Sequence, residues 1–203
     1  MNYGIVKIGK GYIRNTMFLP YITAPIAIGL IFATLFDQNF GAVNFFLKGI
    51  GLIDKNVNWL HTAAFSKPLV AMVTIWRYVG YTAVIYLAGL QSISKDIYEA
   101  AKVDGANRFE QFKSITLPML TPTTFFVSIM LTIACFKVFD LISVMTNGGP
   151  GRATNVLVFH IYNTAFINYE FGYASAISMV LFAIVLFITV IQFRTEKKWV
   201  SYM

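Results

Sequence analysis

Apolar residues gather into four long runs, and the segments between them carry most of the charge. The runs cover roughly residues 17–36, 69–90, 125–145 and 174–193. Each can cross ~30 Å of hydrocarbon as a helix, which takes about 20 residues. The pattern predicts an all-α integral membrane protein with four transmembrane helices. The first run is longer than the ~7–15 apolar residues of a signal peptide and lacks a small-residue cleavage site, so it reads as a retained span. It also contains Pro20 and Pro25.

Composition agrees. Of 203 residues, 57% are hydrophobic and 12% charged, against about 25% charged in soluble domains. A water-soluble fold of this composition would expose broad apolar patches. The single Cys135 permits neither an intrachain disulfide nor a cysteine metal cage. His61 and His160 stand alone, without ligand or catalytic spacing, and no enzyme activity is predicted. Gly148-Gly149-Pro150-Gly151 lacks the Lys-Ser/Thr ending of a phosphate-binding loop and reads as a turn.

Charge placement predicts orientation. Lys and Arg outside the runs number ten in residues 1–16, 91–118 and 194–203, and four in residues 37–68 and 146–173. The positive-inside rule therefore places both termini and the 91–118 loop in the cytoplasm. Topology and contact with anionic membrane lipid account for the net charge of +7. No basic stripe interleaved with aromatics points to nucleic acid. Tyr12, Trp59, Tyr173 and Trp199 fall where spans meet headgroups, as an aromatic belt requires.

The 91–118 loop is more than a connection. It holds Lys95, Asp96, Glu99, Lys102, Asp104, Arg108, Glu110 and Lys113, four acids against four bases, and topology alone needs no acids. Asp96 three before Glu99, and Asn107 three before Glu110, each have capping-box spacing. Gly105 suits the left-handed position that ends a helix. The loop is predicted to fold as helix, glycine corner, helix, stopping before Pro118. Ala100 and Ala101 leave a smooth patch for close approach of another surface, and Glu99 and Asp104 offer carboxylates to basic groups on it. The alternative is an amphipathic helix lying on the membrane.

Glu99-Ala100-Ala101, then Gly105, then Ile115, Leu117 and Pro118 at fixed spacing, resemble the EAA signature of binding-protein-dependent ABC transporter permeases. Phe18-Leu19-Pro20-Tyr21, Leu87-Ala88-Gly89-Leu90-Gln91, Gly148-Gly149-Pro150, and Ile161-Tyr162 with Ala165-Phe166 resemble the carbohydrate branch, within it the maltose or glycerol-phosphate type of first permease subunit. The resemblance implies a transmembrane subunit of an ATP-driven importer for a sugar, oligosaccharide or sugar phosphate. The implied partners are cytoplasmic ATPase subunits, which would bind ATP and magnesium, a second permease subunit, and an extracellular solute-binding protein. The chain itself would need no cofactor and would sit in a prokaryotic plasma membrane. Glu99, Ala100, Ala101, Asp104 and Gly105 would meet the ATPase, and Ile115, Leu117 and Pro118 would anchor the loop to the next span. Residues 37–68 and 146–173 would face the binding protein. Permeases of this branch have six spans, so the chain is expected to lack two spans before Met17.

Three charges interrupt the runs, each costing about 2.5–3.5 kcal/mol at a span centre. Arg77 and Lys137 lie ~12 Å deep and Asp140 ~8 Å deep at the helical rise. Lys137 and Asp140, three apart, are expected on one helix face, with Asp140 pairing to Arg77 or Lys137 in a translocation path that Tyr81, Phe136 and Phe139 also line. A structural ion pair with a snorkelling lysine is the alternative, and helix packing is the alternative role for the aromatics. Two other classes remain: a non-transporting structural subunit or fragment, and a secondary transporter or channel, for which broken helices or repeated halves are the expected mark.

Overall fold

The computed structural model describes the backbone of residues 3–200, and the side chains of residues 11, 12, 14–196 and 200. The basic side chains Lys7, Lys10, Lys197 and Lys198, and Trp199, lie outside those described. Among the described residues eleven helices follow one another: α1 (Tyr3–Ile22), α2 (Pro25–Leu35), α3 (Ala42–Gly49), α4 (Ala63–Ser92), α5 (Lys95–Val103), α6 (Arg108–Gln111), α7 (Leu117–Met119), α8 (Thr121–Phe136), α9 (Asp140–Met145), α10 (Leu157–Tyr162) and α11 (Phe171–Trp199). Wider π turns follow α6 at Phe112–Thr116 and α10 at Asn163–Ile167.

The predicted runs at 69–90 and 174–193 lie inside α4 and α11, both long enough to cross a membrane. The other two differ from expectation. The first is a bent pair: the axes of Arg14–Ile22 and Pro25–Leu35 meet at 99°. Proline chemistry explains the break. Pro25 has no N–H for the helix and forces the preceding Ala24 into an extended conformation, with ψ 128°. Pro20 is accommodated within α1. The third run spans Thr121–Met145, but residues 137–139 leave the helical ladder between α8 and α9. Among the described residues there are thus three helices long and apolar enough to span, or four counting the bent pair as one.

The chain divides into two compact units. The first comprises residues 1–80 and 136–181. Its core is built from Ile28 of α2, Leu60, Leu69, Val70 and Val73 of the α4 approach and first half, Leu141, Ile142 and Met145 of α9, and Phe159 of α10. Gly29 lets α2 come close to α9, since a β-carbon there would sit 3.3 Å from Val144 Cβ. Gly80 is tighter still: a β-carbon would fall on the Met17 carbonyl of α1. The Gly148–Gly151 segment is the expected turn. It closes on Thr154, whose Oγ donates to the Gly149 carbonyl at 2.7 Å, and Gly148, at φ 77°, packs beneath the Phe159 ring.

The second unit comprises residues 81–135 and 182–203. Here Gly89 of α4 lies against Thr123 and Leu120 at the start of α8. Phe125 meets Phe193 of α11 edge to face at 5.2 Å. Gln192 of α11 donates to Thr132 Oγ of α8 at 2.9 Å. Hydrogen bonding between apolar helices offsets the cost of a polar side chain among them.

Candidate functional site

The loop between α4 and α8 lies wholly within the second unit and folds as two helices about a glycine. Ser94, not the expected Asp96, caps α5: its Oγ accepts the Asp96 N–H at 3.2 Å. A serine at the N-cap takes an orphan donor of the first turn, and Asp96 then sits where a carboxylate favours the helix dipole. At the other end the Ala106 N–H reaches the Ala101 carbonyl at 2.9 Å and the Gly105 N–H the Lys102 carbonyl at 3.1 Å. This paired closure requires a left-handed residue, and Gly105 supplies it at φ +84°.

The second helix begins as expected. Asn107 Oδ1 accepts the N–H groups of Phe109 and Glu110, both at 3.0 Å, and Glu110 returns a carboxylate oxygen to the Asn107 N–H at 2.8 Å. The expected stop before Pro118 does not occur: helical winding continues past Gln111 through the π turn, where the Leu117 N–H bonds the Phe112 carbonyl, and on through Pro118 in α7. Pro118 cannot donate to the turn before it and its ring crowds the carbonyl four residues back; a widened turn relieves both.

Two side-chain bonds hold the corner together. Tyr98 hydroxyl lies 2.8 Å from Thr116 Oγ, and buried Gln111 donates to the Ala106 carbonyl at 2.8 Å. Ile97, Tyr98 and Ala101 form the half-buried side of α5, leaving Glu99, Ala100, Lys102 and Val103 exposed. Ala101, Asp104, Gly105 and Ile115 come together in one cavity of about 550 Å³, with Glu110, Gln111 and Ser114 on its wall. Leu117 is exposed and Pro118 half-buried, neither on that wall.

Sequence reasoning missed the apolar side of this surface. Val103 is 88% exposed, Phe109 73% and Phe112 49%. Large apolar side chains displayed beside carboxylates on a rigid corner are the features of a protein-docking surface. Their spacing was the available signal: Phe109 and Phe112 are three apart, between charged residues.

The membrane charges behave differently from expectation. The Arg77 guanidinium carbon lies 5.7 Å from the Tyr21 ring centre and 5.5 Å from that of Tyr78, while its buried Nε has no hydrogen-bond partner. Aromatic faces, not the predicted Asp140 carboxylate, hold this cation; such contacts contribute about 0.5–2 kcal/mol. Lys137 and Asp140 do not share a helix face, because the ladder is interrupted between them and Asp140 starts α9. Lys137 is exposed, Phe136 and Asp140 are half-buried, and Phe139 packs against Tyr162 with the rings tilted and their centres 4.8 Å apart. Tyr81 is half-buried in the second unit. Among the described residues no group of three His, Cys, Asp or Glu could hold a metal ion.

The family model of the binding-protein-dependent transport system inner membrane component matches residues 3–200. The chain belongs to this family. It is 36% identical over 200 residues to the sn-glycerol-3-phosphate transport system permease protein UgpA of Agrobacterium fabrum, covering 96% of this chain and 66% of that one. It is also 36% identical over 192 residues to the trehalose/maltose transport system permease protein MalF of Thermococcus litoralis, covering 93% and 63%. The chain therefore spans just under two thirds of these relatives. Among solved structures it resembles a chain of a bacterial alginate ABC transporter in complex with an alginate pentasaccharide-bound periplasmic protein, with a TM-score of 0.82 and 25% identity over 93% of this chain and 66% of that one. Family and helices agree on a multi-pass inner-membrane component. Broken helices, taken above as a mark of secondary transporters, occur here within that family.

Proposed function

We propose that this chain is a permease subunit of an ATP-driven ABC importer whose cargo is a sugar, oligosaccharide or sugar phosphate. The observation that carries the proposal is the rigid helix–glycine–helix corner, which displays Glu99, Ala100, Val103 and Phe109 away from its own unit. Its exposed apolar side chains and acids suit a cleft in a cytoplasmic ATPase, which binds ATP and magnesium and does the hydrolysis. A second permease subunit completes the pathway and an extracellular binding protein delivers cargo to the outer loops, residues 37–68 and 146–173. Both termini then lie in the cytoplasm. Relatives that carry glycerol phosphate and trehalose or maltose support the cargo class.

Coupling needs differential contact in two states: the corner transmits ATPase closure into α4 and α8, to which it is joined at both ends. Arg77, Phe136, Lys137, Phe139 and Asp140 of the first unit are proposed to border the path, with the helix interruption at residues 137–139 leaving backbone groups to face water rather than lipid. The test is co-purification of the ATPase with the membrane-extracted chain. Wild type retains it, and Phe109→Asp or Glu99→Arg loses it. Equal recovery with wild type and both variants overturns the docking role of this corner.

A further inference from the structure

The connection between α2 and α4 carries an apolar face that its own unit does not use. Asn44 of α3 points inward, 2% exposed. Its Nδ2 donates to the carbonyls of Val57 at 2.9 Å and Gln38 at 3.1 Å, and its Oδ1 accepts the Val57 N–H at 3.2 Å and the Trp59 indole N–H at 2.9 Å. On the opposite side Ala42, Phe45, Phe46 and Gly49 recur at the i, i+3, i+4, i+7 spacing of one helical face, and all four are exposed. Phe40, 90% exposed, extends this face at one end, and Ile50 and Leu52 extend it at the other.

Two contacts fix the height of α3. The Trp59 ring packs edge-on against Phe36, which ends α2, and 5.2 Å from Phe65 in the first turn of α4. Phe65 lies in the first turn of α4, a helix long and apolar enough to span, so the indole sits near that end of it, the level tryptophan prefers. Asn44 ties α3 to the same level. Beside the apolar face a cavity of about 470 Å³ is lined by Lys48, Asn39 and Asn56 together with Phe40 and Phe45. One side of this element is thus built for acyl chains, and the adjoining hollow offers a cation and two amides.

We infer that α3 is an interfacial lipid-binding helix: Phe40, Phe45 and Phe46 enter the acyl region of the leaflet, and Lys48, Asn39 and Asn56 take the phosphodiester of an anionic phospholipid. Interfacial helices hold an apolar face ~5–10 Å into the headgroup–acyl boundary. The inference needs only that the chain spans a membrane and is independent of the cargo and ATPase assignments; it gives the α3 part of the 37–68 connection to lipid and leaves residues 57–68 and 146–173 to the binding protein.

Bimane attached to Phe46→Cys, in the full chain carrying Cys135→Ser and reconstituted in phosphatidylethanolamine–phosphatidylglycerol vesicles, tests the apolar face, with Phe40→Cys as a second site. Acyl-brominated phospholipid is expected to quench the label at least about threefold more than aqueous iodide does. Stronger quenching by iodide, or protection from both quenchers as a protein partner would give, overturns the assignment. Lys48→Glu is expected to halve the phosphatidylglycerol retained per chain after detergent extraction; unchanged retention overturns the headgroup site.

Discussion

Asn107 and Glu110 exchange hydrogen bonds: each side chain accepts the other's backbone N–H, at 3.0 and 2.8 Å. This reciprocal cap fixes the direction in which the chain leaves Gly105, and so the placement of Phe109 and Phe112 on the proposed docking surface. Losing the capping oxygen costs about 1 kcal/mol. Asn107→Ala is expected to raise amide exchange across residues 107–111 about fivefold and to weaken ATPase association, while Asn107→Asp, which keeps the acceptor, leaves exchange within about twofold of wild type.

Gly105 has open space around its α-carbon, so a substitution there is opposed by backbone conformation alone. Gly105→Ala meets the cost of left-handed backbone, about 1–2 kcal/mol, and is expected to reduce transport partially. Gly105→Pro removes the N–H that bonds Lys102 and cannot adopt φ +84°. Its expected outcome is ATP hydrolysis without transport in proteoliposomes, read as phosphate release against cargo accumulation.

Gly80 makes the opposite case. Any β-carbon there meets the Met17 backbone carbonyl, which no side-chain rotation relieves. Gly80→Ala is expected to lower the melting temperature of the detergent-solubilised chain by several degrees or prevent its accumulation. Gly172, near the start of α11 and with nothing within contact distance, is the control: Gly172→Ala should leave stability equal or raise it by up to about 1 kcal/mol.

Arg77 rests on two tyrosine rings rather than on a carboxylate, which sets an expectation for charge reversal. Arg77→Asp and Asp140→Arg should each reduce transport, and the double variant should stay within about twofold of the worse single one. Recovery in the double variant would establish the ion pair instead. Because a guanidinium is broader and more weakly hydrated than an ammonium and so suits a site between two aromatic rings, Arg77→Lys is expected to behave as a loss rather than a conservative exchange.

Asp37 offers a pH test in the connection after α2. Hydrogen bonds from the Phe40 and Asn39 N–H groups hold its carboxyl below the usual carboxylate range. A folded pKa below the unfolded one stabilises the turn fully above the ordinary carboxylate value, and the contribution disappears as pH falls through the lower, folded value. Amide exchange at residues 39 and 40 is expected to lose protection only in that acid window, and in Asp37→Ala at every pH.

The sequence by itself determined the membrane class, four apolar runs and the helix–glycine–helix corner, while the family was legible only as a motif resemblance, apart from these three. Each rests on local chemistry: run length against bilayer thickness, cap spacing at Asn107 and Glu110, and the left-handed residue at 105. Two expectations failed where a local rule had a nearby competitor. Ser94 outcompeted Asp96 as cap, and Pro25 turned one run into a pair bent at 99°. Only tertiary structure decided what surrounds each side chain. It placed Arg77 on tyrosines contributed by two helices, interrupted the ladder between Lys137 and Asp140, turned Asn44 inward against Val57 and Trp59, and left Phe45, Phe46 and Phe109 exposed. Periodicity states which residues share a face of a helix. What that face meets depends on segments distant in sequence, so it is settled only when the chain has folded.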